Sequence, residues 1–216
     1  MLKLCNYLYV IAVLMYGNVL FAENKNLTKS MIEEITQIDI LYSKYQSIKS
    51  QFIQKDNLGN TSSGWFVIQK PGLARIEYQD VPIRFIANNN SLLFQDLQLK
   101  QKSFFPINAS PFSYLLDKNF SFLSDKIKIV DYQVLEDYIS ITIKSTQNLD
   151  IGSLTLFLSK DKAEIIKWTI VDAKGVASDV FLVSPEFSEF AFTNQTIFNV
   201  QRIKSVKFND LKFKSN

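Results

Sequence analysis

Acid–base chemistry in this sequence would fall to carboxylates, because histidine is absent and the one cysteine, Cys5, lies at the extreme N-terminus. Without histidine there is no usual general base, no common metal ligand and no Ser-His or Cys-His nucleophile pair. The pairs Glu33–Glu34 and Glu136–Asp137 do not replace it. Adjacent residues point to different faces of a helix or strand, so neither pair is an acid/base couple by itself. Asp131, Asp172 and Asp179 are far apart in sequence and would form a site only if the fold brought them together; a carboxylate-based hydrolase is the minor alternative on that ground. The six glycines are scattered singly, without a phosphate-binding loop. A net charge of +3 is too small a field to argue for nucleic acid. No catalytic residue, metal or cofactor is therefore assigned, and the chain reads as a binding protein. Phe supplies 18 residues against 9 Tyr and 2 Trp, more than one small core needs. That excess fits an apolar ligand, and equally a composition biased toward Phe, Ile, Lys and Asn.

The elements that position these residues begin after an export signal. Residues 1–22, "MLKLCNYLYVIAVLMYGNVLFA", carry Lys3, an apolar stretch from Tyr7 to Tyr16, the breakers Gly17 and Asn18, and Ala22 before a polar segment. That is the layout of a cleaved secretory signal, and the apolar core is short for a membrane span. The periplasm or another exported compartment is expected. The chain, 216 residues with the signal, suits one domain: 23–200, followed by a basic tail, 201–216, with Arg202, Lys204, Lys207, Lys212 and Lys214, read as a solvated edge strand with a frayed end. After export the chain holds no cysteine, so core and sheet alone must hold it together.

Met31, Ile35, Ile38, Tyr42 and Tyr45 recur at helical spacing, with Ser30 and Glu33 as a capping box. From Ser47 the period becomes two. Segments 47–54, 65–69, 73–79, 83–87, 91–96 and 99–105 read as short strands joined by tight turns, with 56–64 as a loop, Lys70-Pro71-Gly72 as a turn and Asn88-Asn89-Asn90 as a hairpin turn. The stretch 106–126 loses that period; Ser110 with Pro111 reads as the cap and first residue of a short helix. Strands resume at 126–134, 137–145, 152–159, 164–172 and 176–183. Several carry apolar residues on both faces, such as Phe157, Val130 and Ile165. A sheet facing water on one side would not, so part of one face is expected under helices and part kept for a ligand.

Five of these segments resemble the LolA family of periplasmic carriers of outer-membrane lipoproteins. "SIKSQFIQK" (47–55) is similar to the family's Ser-Phe-x-x-x-Phe-x-Gln strand, and "SGWFVIQKPGLARIEY" (63–78) to its strand, Arg-Pro turn and strand. "IANNNSLLFQD" (86–96), "SPFSYLL" (110–116) and "LFLSKDKAEIIKWTIVDAKG" (156–175) follow in the family's order. The resemblance spans about residues 30–200. It implies a mainly β protein with some α: a strongly curved, unclosed antiparallel β-barrel, or half-barrel, whose open side is covered by short helices and whose groove holds acyl chains. It further implies that the partners are acylated lipoproteins, an inner-membrane lipoprotein-releasing ABC transporter and an outer-membrane lipoprotein acceptor, with the carrier acting as a monomer. A lipid- or lipoprotein-sensing domain that does not transport is the alternative on the same half-barrel.

Strand alternation then nominates Phe52, Phe66, Ile68, Ile76, Tyr78, Phe85, Leu93, Leu115, Leu116, Trp168 and Ile170 as acyl-chain groove residues, each of which reads equally well as ordinary core. Met31, Ile35 and Ile38 would be the lid side of the first helix. Where the family has Arg before Pro, this chain has Lys70. The resemblance makes it a latch between sheet and lid, a point donor in place of a planar fork; Arg75 or Arg84 is the substitute if Lys70 does not serve.

Overall fold

The computed structural model describes residues 27–89 and 91–215. The export signal and Asn90 of the hairpin turn lie outside the described residues. Helix α1 spans Lys29–Ser43. Its cap is Thr28, whose Oγ1 accepts the Met31 N–H at 3.3 Å, so the helix starts ahead of the expected Ser30 box. Ile35, Ile38 and Tyr42 are buried along one stripe, with Met31 and Tyr45 half-buried at its ends. The helix stops at Ser43 because Ser47 already pairs with Gln69 and Ser188.

Eleven strands follow: β1 Ser47–Asp56, β2 Thr61–Gln69, β3 Leu73–Tyr78, β4 Ile83–Asn88, β5 Ser91–Asp96, β6 Gln101–Pro106, β7 Ile127–Val134, β8 Tyr138–Ser145, β9 Ser153–Ser159, β10 Ile165–Val171 and β11 Ala177–Ser188. They form one antiparallel sheet in the order β6-β5-β4-β3-β2-β1-β11-β10-β9-β8-β7. Two meanders, β1–β6 and β7–β11, are thus joined by the single long-range pairing of β1 with β11. β6 and β7 stay unpaired at the two ends, so the barrel is not closed. The loop expected over 56–64 is shorter than the composition suggests: Ser62 and Ser63 pair with Gln54 and Ile53, and β2 begins at Thr61. A register shift between Lys49 and Gln51 against β11 is the kind of irregularity that bends a strand.

Both faces of the sheet are covered at β2 and β3. On the inner face, Ile48, Phe66, Ile68, Ile141, Ile143, Leu154, Leu156 and Leu158 pack against α1 and the segment 107–122 in the main core. On the outer face, Trp65 and Val67 pack beneath Phe192, Ile197, Phe198 and Leu211 in a second cluster. The basic tail is therefore not an edge strand. It lies over β2 and β3, held by a single bridge between Phe192 and Phe213 and by buried cations. Arg75 is 0 % exposed; it donates to the carbonyls of Ile197 (3.0 Å) and Lys204 (2.8 Å) and pairs with Glu77 at 2.6 Å. Lys49 donates to the Leu211 carbonyl at 3.1 Å. This cover explains why β2 is apolar on both faces.

Candidate functional site

Where the inner faces of the two meanders meet, the packing leaves a cavity of about 230 Å³. The residues around it follow from strand register. Phe52 of β1 stands opposite Gly64 of β2, which stands opposite Tyr78 of β3. Gly64 has no side chain to fill that row; a Cβ there would sit 2.1 Å from the Glu77 carbonyl and 2.9 Å from the Phe52 ring. The Phe52 and Tyr78 rings instead meet across it, 5.2 Å apart and edge-to-face. Phe66 lies 5.1 Å from Trp168 of β10, which closes the wall between the meanders. The rest of the lining is Gln54, Ile76, Phe85, Leu92, Ile170, Ser178 and Val180 from strands, with Ser110 and Phe112 as cover from the short 3-10 helix Pro111–Leu116 and its cap.

Among the described residues, no charged side chain lines the cavity, and the polar side chains of Gln54, Tyr78 and Ser110 bond within the wall. The Tyr78 hydroxyl donates to Gln54 Oε1 at 2.6 Å; burial, and secondarily the charge of Asp80, push that phenol up to about 12. Ser110 Oγ accepts the Phe112 N–H. With no charge on its lining and mostly aromatic and aliphatic walls, the cavity suits an apolar ligand. A hollow of about 430 Å³ adjoins it, sharing Ser110 and Ile170 and otherwise lined by Ala109, Pro111, Ile151 and Ala173 together with the polar and charged Asn148, Asp150, Asp172 and Lys174.

Of the residues nominated from sequence, Phe52, Phe66, Ile76, Tyr78, Phe85, Trp168 and Ile170 come together around the cavity. Ile68, Leu115 and Leu116 are buried in the main core nearer α1. Leu93 is buried on the opposite face, across from Ile86 and Phe104. Leu92 takes the lining position, and the apolar pair Leu92–Leu93 gives alternation no means of choosing between them. Met31, Ile35 and Ile38 pack into the main core and do not touch the cavity; the covering side chains are Ser110 and Phe112. The apolar spacing of Phe112, Leu115 and Leu116 was a sequence signal for this segment, but not for which of the three faces the ligand.

Lys70 joins the parts. It is 4 % exposed, with Nζ donating to the Tyr42 carbonyl at 3.4 Å and lying 4.3 Å from the centre of the Tyr42 ring. Burial pushes its amine down to about 8, partly offset by Asp117. The Lys70 N–H donates to Gln46 O and the Gly72 N–H to Leu116 O, both at 2.8 Å. The turn thus touches both the end of α1 and the covering segment. Arg75 and Arg84 do not substitute for it: both engage Glu77 on the outer face. Asp131, Asp172 and Asp179 do not converge. Asp131 accepts from Gln133, Asp172 accepts two turn N–H groups, and Asp179 pairs with Lys167.

A family model described as outer membrane lipoprotein carrier protein LolA matches residues 43–213. Among solved structures, a DUF1329 family protein from Desulfovibrio piger superposes with a TM-score of 0.51 at 9% identity, covering 82% of this chain and 98% of that one; at that identity the likeness is one of fold alone. A putative outer membrane lipoprotein-sorting protein domain from Vibrio parahaemolyticus gives 0.48 at 11% identity over 78% and 96% of the two chains. The Pseudomonas aeruginosa MucA/MucB complex gives 0.43 at 10% identity over 85% and 64%. No curated protein sequence matches the chain.

Proposed function

The chain belongs to the LolA family, and from that premise we propose that it is a periplasmic carrier, exported by the signal at 1–22, that shields the acyl chains of lipoproteins released from the inner membrane and delivers them to an outer-membrane acceptor. The observation that carries this reading is the uncharged, aromatic-walled cavity between the two meanders. Water penalises an exposed chain of roughly sixteen carbons by about 12 kcal/mol, at about 0.8 kcal/mol per methylene, so free diffusion of such a cargo is negligible and a carrier must cover most of it. At about 230 Å³ the cavity is smaller than the roughly 300–1,000 Å³ that engulfs a drug-sized ligand. Acyl chains enter by displacing the cover at Ser110 and Phe112, so lid and lipid compete for one wall. Lys70 is the latch in this reading, because its turn bonds both α1 and the covering segment. An ABC transporter that releases lipoproteins would load the carrier, and a greasier acceptor would unload it.

The test is release. Purified protein starting at Glu23 is added to spheroplasts making a labelled triacylated lipoprotein, and the supernatant is assayed for a one-to-one complex. A complex supports the carrier. Free lipid bound without lipoprotein points to a lipid sensor on the same half-barrel, and binding of neither removes the reading.

A further inference from the structure

We infer that the hollow beside the cavity, where charged and amide side chains join an apolar lining, is a second subsite, which seats the amide-bearing polypeptide end of the acylated cargo; this rests on the acyl-carrier reading above. The two spaces share the walls Ser110 and Ile170, and the lining changes character there. On one side lie Phe52, Phe66 and Trp168; on the other lie Asn148, Asp150 and Lys174. A ligand that is greasy at one end and peptidic at the other needs that change. Its methylenes gain from the aromatic wall, while every peptide N–H and C=O taken out of water must find a partner.

The hollow can supply partners. Among the described residues, the side chains of Asn148, Asp150 and Lys174 hold no hydrogen bond or ion pair within the fold. The neighbouring Asp172 is committed, because its Oδ1 accepts the N–H groups of Lys174 (2.8 Å) and Val176 (2.9 Å). The free set therefore contains a carboxylate, an ammonium and an amide, which together match both donors and acceptors of a peptide, with no single-sign field to demand a charged headgroup. Among the described residues, the opposite end of the cavity carries no free charged pair: on that face Ser103 stands across from Phe94, and Gln101 across from Asp96, whose Oδ1 already accepts the Gln98 and Leu99 N–H groups. Past Phe85 the wall continues through Phe94, 5.3 Å away, and Leu92 to Phe105, which is 46% exposed. That rim offers mainly apolar surface, with one hydroxyl and one amide side chain and no free carboxylate or ammonium on the same face. The hollow also shares Ser110 and Pro111 with the covering segment, so a seated peptide would hold the cover in its displaced position.

The experiment uses the full chain and an N-palmitoyl hexapeptide with a photoreactive benzophenone side chain at its second residue. Cross-links are mapped by mass spectrometry. Those at 109–111, 148–151 and 172–174 are expected, whereas cross-links concentrated at 101–106 would place the peptide at the aromatic rim and overturn the inference. Affinity is read in parallel from Trp168 fluorescence. The acyl peptide should bind about tenfold more tightly than palmitoylglycerol, and D150A/K174A, both at exposed positions, should remove that advantage while leaving palmitoylglycerol unchanged. Equal affinities in the unaltered protein would sink the subsite with the cavity reading intact. Failure of both ligands to bind would remove both.

Discussion

An amine with 4 % of its surface exposed and no ion-pair partner among the described residues is an expensive thing to bury; Lys70 is such an amine. Its ordinary value of 10.5 falls to about 8 in the folded chain, so between those values the unfolded chain holds the extra proton. Stability attributable to this residue therefore rises with pH across that window. The penalty is full below about pH 8 and is relieved toward the unfolded value, on the order of 3 kcal/mol in all. Lys70→Met is expected to raise the urea midpoint at pH 7 and to abolish the increase the unaltered protein shows from about pH 8 to 10. The carbonyl it leaves still accepts from Tyr45 N–H. The buried phenols of Tyr42 and Tyr78, both pushed up by burial, act with the opposite sign above about pH 10, so the comparison is made below it. A midpoint that drops at pH 7 would mean the contact to α1 outweighs the desolvation.

At the scale of elements, the β1–β2–β3 sandwich of Phe52, Gly64 and Tyr78 sets the cavity floor. Gly64→Ala places a methyl against the Glu77 carbonyl at 2.1 Å, which is backbone and cannot swing aside. We expect a loss of at least about 2 kcal/mol, a drop of about 4–8 °C in Tm, and weaker acyl binding as the Phe52 ring is pushed into the cavity. An unchanged Tm would show that β3 yields. Most of this architecture was legible beforehand. Period-two segments located all eleven strands, falling well short only at the start of β2 (Thr61) and the end of β11 (Ser188); Ser110–Pro111 marked the short helix, and Lys-Pro-Gly marked a turn. Where local pattern was ambiguous the reading slipped by physics that can be named. Leu92 and Leu93 are equally apolar, so only pairing decides the phase. Thr28 and Ser30 are both good caps, so only the observed bond at Thr28 chooses. A sequence that says "apolar on both faces" at β2 does not say that Phe192 and Leu211 lie on the outer one, more than a hundred residues away.

For the molecule as a whole, the outer cover is as structural as the inner core. Trp65 and Val67 would be laid open if the chain ended at Phe190, and Arg75 would lose the carbonyls of Ile197 and Lys204. Each large apolar side chain so exposed forfeits about 1.5–3 kcal/mol, against a total stability of about 5–15 kcal/mol for a domain. The truncated chain should show no cooperative thermal transition by circular dichroism. A retained transition would show that the meanders stand without their cover. The global order of strands was the least legible feature, because each strand reports its own period and nothing about the partner it meets at long range.

That order has a further consequence, in the time the chain takes to be synthesised. β1 finds β2 at once, yet its other edge belongs to Ala177–Ser188. If residues appear at roughly 5–20 per second, that edge stays bare for on the order of ten seconds while the first meander is already formed. During that interval Ile53 and its neighbours present an open hydrogen-bonding strand to whatever is nearby. The open edge of β1 would thus need shielding early in the chain's life, until the eleventh strand arrives to seal the first.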